Sequence, residues 1–272
     1  MKSKAPAAPF GVWMVIFTVV PLAMVLWFAF TDDAGRFTLD NLQATGDYLH
    51  TFWDSIKVGA VSTALCLVLA YPIAYSISRT SARAQTVLVM LVMLPMWMNF
   101  LLRTYAWMSL LEDKGLINQF LALFGIGPVH MINTDGAVIL GTVYNFLPYM
   151  VLPLYSVMVK IDNRLIEAAQ DLGGGAVQVF LRVVLPLSKP GIVSGITMTF
   201  VPAVSTFVIT KLLGGGKHML IGDVIEMMFM GSSKNYNVGA MLSLLLMVLM
   251  VICMAVMRFV DNEDDDMEGL MV

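Results

Sequence analysis

Few side chains in this sequence stand at spacings that support bond-making chemistry. His50, His130 and His218 are isolated from one another and from any Cys or carboxylate at ligand spacing, so no metal site is expected. Cys66 and Cys253 each sit in an apolar run, where a thiol packs as a small hydrophobe, and two such residues make no disulfide framework. The string Gly214-Gly215-Gly216-Lys217-His218 imitates a phosphate loop. It has His218 where Ser or Thr must hold magnesium, and Lys211 where the first Gly belongs, so ATP hydrolysis by this chain is not expected. Neither an HExxH string nor an Asp pair inside an apolar run is present, which argues against an intramembrane enzyme. No catalytic residue is assigned, and no cofactor is expected to be bound by this chain.

The elements that would position any site are apolar. Of the 272 residues 58% are hydrophobic and 13% charged, whereas a soluble domain has about 45–50% and about 25%. Mean hydropathy is +0.81. This is the composition of an all-α integral membrane protein, and a net charge of −3 gives no surface for nucleic acid. A bilayer core takes about 20 residues of helix. Six segments meet that length, 10–30, 53–76, 84–107, 137–159, 191–210 and 238–260, forming a single transmembrane domain over 1–272. The first is too long for a signal-peptide core and no small-residue cleavage site follows it, so it is expected to be retained. Pro21, Pro72, Pro95, Pro148, Pro153 and Pro202 mark bends within spans. Six spans place both termini on one side. That side holds Lys2, Lys4, Arg79, Arg83, Lys160, Arg164, Arg182, Lys189 and Arg258, against Arg36, Lys57, Lys114, Lys211, Lys217 and Lys234 opposite, which predicts cytoplasmic termini. The acidic tail 261–268 reads as a solvated end.

The one long loop on the side of the termini, 160–190, has its own pattern. Asp162 or Asn163 is suited to capping a helix of about ten residues through Leu172, and Gly173, Gly174 and Gly175 then stop it. In the stretch that follows, Val177, Phe180, Leu181, Val184 and Leu185 share one helical face until Pro186 and Pro190 end it. Ala168 and Ala169 keep the first helix low enough for close approach, and Glu167 and Asp171 stand as carboxylates one turn apart. Periodicity alone admits two readings, a helix that docks in a partner's groove and an amphipathic loop lying on the bilayer.

Glu167-Ala168-Ala169, Gly173, Val183, Leu185 and Pro186 together resemble the EAA loop of permease subunits of ATP-binding cassette importers, with Val183 where the family has Ile. The resemblance continues along the chain. Leu94-Pro95, Asn99, Leu102-Arg103, Tyr105, Lys114-Gly115, Leu147-Pro148, Met150 and Pro153-Leu154-Tyr155-Ser156 resemble the spermidine/putrescine permeases. So do Leu172-Gly173, Pro202-Ala203, Leu213-Gly214-Gly215, Ile221-Gly222 and Val224-Ile225, nearer to the first of the two polyamine permease subunits. Importers for thiamine, ferric iron and sulfate share the fold and the loop. The resemblance implies the type I importer permease fold, a bacterial inner-membrane location and a cytoplasmic coupling helix docked on a separate ATPase. It also implies two ATPase copies using ATP and magnesium, a second and paralogous permease subunit, and an extracytoplasmic substrate-binding protein.

For a polyamine cargo the path should offer carboxylates, carbonyls or aromatic faces. Apart from Asp54 at the very start of the second, the six spans contain no Asp or Glu, which also argues against a proton- or sodium-driven transporter of its own. Path candidates are therefore Asn99, Tyr105, Tyr144, Asn145 and Phe207, the Pro202 kink as a gate, and Asp223 and Glu226 before the last span; ordinary solvated loop charge is the alternative for the two acids. Arg103 is expected near the outer interface, snorkelling, with Trp97, Tyr105 and Trp107 beside it as an aromatic belt.

Overall fold

The computed structural model describes residues 8–216, 219–231 and 234–268. Lys2, Lys4, Lys217 and His218, which entered the charge balance and the phosphate-loop comparison, lie outside them. Among the described residues the chain is helical apart from loops and one antiparallel bridge between Thr31 and Phe37. Three unbroken helices long and apolar enough to cross a membrane are Pro9–Ala29, Asp135–Met158 and Tyr236–Phe259. A fourth is Leu49–Ser78, with a short helical approach from Asp40. Two bent pairs complete the set, Ala82–Trp97 with Phe100–Ala122 at 88° and Ala176–Leu187 with Lys189–Ser205 at 65°. The all-α, multi-span class is as the composition predicts. The last helix continues past the apolar segment to Glu268.

Two spans differ from the sequence reading. The segment 84–107 is not one helix. Met98 and Asn99 are extended, and the Asn99 amide oxygen accepts from the N–H groups of Leu101 at 2.9 Å and Leu102 at 3.3 Å, which starts a new helix. The segment 191–210 runs as Lys189–Ser205, opens at Thr206 and Phe207, and resumes as Val208–Leu213. The break falls beyond Pro202, which sits inside the helix. The loop's second helix ends at Leu187, between Pro186 and Pro190 as expected, although neither ring breaks a turn. A wide π turn over Phe180–Val184 precedes Pro186, and Pro190 lies in the first turn of the next helix, where its missing N–H leaves no bond unmade. Pro21 is likewise preceded by a π turn, Val15–Val19. A proline ring collides with the carbonyl four residues back, and one extra residue in the turn moves that carbonyl aside.

The second, fourth and fifth span helices meet on Cys66, Ala70, Ala74, Met150, Leu154 and Met158. Lipid tails are as apolar as these side chains, so close packing rather than escape from water holds the helices together. Backbones approach accordingly: a Cβ on Gly195 would lie 2.6 Å from Met150 Sδ. A second core of Leu111, Val138, Ile209 and Leu213 packs Val208–Leu213 against Phe100–Leu111 and the fourth helix. The short helices that follow the two span breaks therefore rest on each other. The first helix packs on the sixth through Val25, Ala29, Ala240 and Met241.

Candidate functional site

At one end of the bundle the loop 160–188 forms a built structure. The Asp162 carboxylate accepts from Arg164 N–H at 2.9 Å and caps the helix Asn163–Asp171. At the other end Gly173 N–H donates to Gln170 O at 2.8 Å and Gly174 N–H to Ala169 O at 3.0 Å. This 5→2, 6→1 pair requires a left-handed residue between, and Gly173 has φ +84°. Glu167 and Ala168 are exposed, and Ala169 is half-buried. The loop's second helix does not keep its apolar residues on one face: Val184 is buried and Phe180 turns onto the bundle, while Val177 and Leu181 point away from it. The π turn sets the buried residues Val179 and Val184 five positions apart, which a constant helical period does not anticipate. Val183 and Leu185 are half-buried and Pro186 exposed. Leu172 is 90% exposed and Val177 70%, so the loop presents an apolar surface alongside Glu167.

The other candidates fall into two groups at the span breaks. Around the first break, Arg103 is 7% exposed instead of snorkelling. Its Nη1 donates to Pro95 O at 2.5 Å, and its guanidinium stands 5.9 Å from the Phe100 ring centroid and 5.7 Å from that of Tyr144. Pro95 O, which also accepts from Met98 N–H at 3.2 Å, is one of the last carbonyls of Ala82–Trp97, so Arg103 helps to close one helix while Asn99 opens the next. Tyr144 also meets the edge of Trp107 at 5.2 Å, which takes Trp107 out of the expected belt, while Trp97 and Tyr105 are exposed. Asn145 is 2% exposed and its amide nitrogen donates to Gly141 O at 2.8 Å, a bond within its own helix.

Around the second break, Phe207 and Glu226 line a cavity of about 590 Å³ with Phe229, Met247 and Met250, and half-buried Pro202 lies one turn away on the same helix as Ser205 of that cavity. Asp223 is buried; it accepts from Thr210 Oγ1 at 2.7 Å and from Leu220 N–H at 2.8 Å. Burial raises its carboxyl pKa, and these two hydrogen bonds pull it back down. Glu226 pairs with Lys211 at 3.0 Å. Neither acid is simply solvated loop charge. Two histidines are not isolated from carboxylates as their spacing suggested: His50 pairs with Asp54, one turn on, at 2.8 Å and His130 with Asp113 at 2.9 Å, although among the described residues no three metal-ligating side chains cluster.

The family model for the binding-protein-dependent transport system inner membrane component matches residues 8–264. The chain belongs to that family. The permease is 39% identical over 250 residues to the spermidine/putrescine transport system permease protein PotB of Haemophilus influenzae, covering 88% of this chain and 87% of that one. It is 37% identical over 248 residues to PotB of Escherichia coli, covering 88% and 90%. Among solved structures it resembles a bacterial ABC transporter that imports the acidic polysaccharide alginate, with a TM-score of 0.76 at 17% identity over 95% and 94% of the chains. It also resembles the MetNI methionine ABC transporter, at 0.60 and 16% over 79% and 95%. It is an inner-membrane, non-catalytic transport subunit of an ABC importer. Sequence reasoning about the permease missed the Lys211–Glu226 pair, whose partners lie 15 residues apart across a loop, and the burial of Arg103. The lone charge in an apolar segment was the signal for Arg103; a straight helix placed it at the surface.

Proposed function

We propose that this permease forms one half of the pathway of an ATP-driven polyamine importer. The helix Asn163–Asp171 docks on a cytoplasmic ATPase, and a second, paralogous permease completes the pore. An extracytoplasmic binding protein delivers the cargo, with two ATPase copies bound below. What supports coupling is the exposed surface of the loop, with Glu167 on the helix Asn163–Asp171 outside the spans and the apolar Leu172 and Val177 exposed just after it in the chain. Polyamine as cargo is supported by the two PotB relatives, and Asp223, Glu226, Phe207 and Phe229 around the second break supply carboxylate and aromatic chemistry suited to a flexible polycation.

The test is purification of the tagged chain from its native membranes in mild detergent, followed by reconstitution with whatever ATPase and permease accompany it. Spermidine-loaded binding protein should stimulate ATP hydrolysis and spermidine uptake, and Glu167→Lys should reduce ATPase recovery while leaving membrane insertion intact. Uptake that survives ATP depletion and collapses with a protonophore would overturn the reading; stimulation by another solute in place of polyamines would overturn the cargo alone.

A further inference from the structure

The coupling loop is joined by the backbone to the fourth and fifth spans, yet the side chains that grip it come from the second. Arg79, the residue that closes the helix Leu49–Ser78, donates from Nη1 to Ile161 O at 3.2 Å and to the Asn163 side chain, at the entry to the docking helix. Eight residues earlier, Tyr71 reaches the loop's other end. Its hydroxyl lies 2.7 Å from Ser188 Oγ. Ser188 donates in turn to Leu185 O at 2.9 Å, which leaves Tyr71 as the donor of the pair. The Tyr71 ring also meets Phe180 edge-on at 5.3 Å. Ser188 is buried at the 65° elbow between the loop and the fifth span, so this contact fixes the elbow as well as the loop.

The same helix holds something at its far end. Ser55 Oγ accepts from Ile221 N–H at 2.8 Å, a buried bond to the first residue of Ile221–Met230, the helix that carries Asp223 and Glu226. Ser55 and Arg79 are 24 residues apart on one continuous helix, interrupted in its hydrogen bonding at Pro72 alone, about 36 Å at 1.5 Å per residue. A hydrogen-bonded helix is stiff along its axis, and a buried polar contact costs more to leave unmade than an exposed one.

Building on the reading of the loop as the ATPase dock, we propose that the second-span helix is the rod that transmits coupling-loop displacement to the carboxylate-bearing helix. Arg79 and Tyr71 are the positioning residues at its loop end, and Ser55 is the one at its far end. The loop and the rod then move as one body, and the Ile221–Met230 helix follows them.

The test uses the assembled transporter in proteoliposomes, with spermidine uptake and ATP hydrolysis measured together. Tyr71→Phe and Ser55→Ala each remove one hydroxyl at nearly constant shape. Both should retain bound ATPase and unstimulated hydrolysis while spermidine carried per ATP falls about fivefold, the equilibrium factor of one buried hydrogen bond. Failure of any ATPase to accompany the wild-type chain overturns the importer reading itself. With the ATPase present, unchanged uptake per ATP in either variant overturns the rod alone. A second arm covers variants that assemble poorly. Tyr71→Cys with Ser188→Cys, in a background lacking Cys66 and Cys253, breaks the elbow contact, and a short bifunctional maleimide then bridges it covalently. Bridging should restore uptake per ATP; bridging that leaves it unchanged or lowers it further overturns the proposal.

Discussion

Arg103 places a guanidinium inside an apolar segment and spends it on structure, with one donor on the Pro95 carbonyl and its face against Phe100 and Tyr144. Both roles depend on a planar, delocalised cation. Lysine keeps the charge and loses the stacking, so Arg103→Lys should destabilise the permease by about 1–2 kcal/mol, read as a lower melting temperature in detergent. Asp223 gives the complementary case of a charge held at a cost. Because burial raises its pKa, the folded protein keeps a proton that the unfolded chain has already released. Stability therefore falls as pH rises from the ordinary carboxylate range through the raised value. Asp223→Asn keeps an acceptor oxygen for Thr210 and removes the titration. Between about pH 4 and about pH 7 its melting temperature should fall less than that of the wild type. An equal fall in both would show that Asp223 is not the group responsible.

Elements were legible in the sequence where a local signal marked their ends. Asp162 and Gly173 gave the docking helix both its cap and its stop, and the structure uses both. Because Gly173 sits at φ +84°, any residue with a Cβ is strained there, so Gly173→Ala should cost about 1 kcal/mol. The cost falls on loop order, and it should appear as faster proteolytic nicking within 172–177 and as weaker ATPase recovery at unchanged membrane insertion. The breaks at Met98–Asn99 and Thr206–Phe207 were not legible, because hydropathy stays high through both and reports burial in lipid, not direction. Asn99 shows the same limit at a candidate residue. A polar side chain in an apolar run reads as a functional group, whereas the structure uses its oxygen to begin a helix. The two π turns escaped the reading because a fixed period of 3.6 has no place for an extra residue; in the loop's second helix Val184 and Leu185 are on the inward face as expected, whereas ahead of the π turn Val179 and not Val177 is buried. Long-range pairs such as Lys211–Glu226 and Tyr71–Ser188 leave no trace in local pattern.

For the whole molecule, the decisive asymmetry is charge. The end that carries the coupling loop also carries Arg79, Arg83, Lys160, Arg164, Arg182, Lys189 and Arg258, whereas the far end has only Arg36, Lys57, Lys114, Lys211 and Lys234 among the described residues. Lys and Arg near span ends resist translocation, so the loop end is expected in the cytoplasm, where an ATPase is able to reach it. Two cysteine probes in a background lacking Cys66 and Cys253 decide this. Ser81 is exposed at the start of Ala82–Trp97, next to the loop end, and Ser81→Cys changes one atom. Gly127 lies at the far end, and a Cβ there meets nothing within 4 Å, so Gly127→Cys is unstrained. In intact spheroplasts a membrane-impermeant maleimide should label the probe at 127 and leave the one at 81 untouched until the membrane is opened. The reverse pattern would place the docking helix outside the cell, away from ATP, and coupling through Glu167, Ala168 and Ala169 would fall with it.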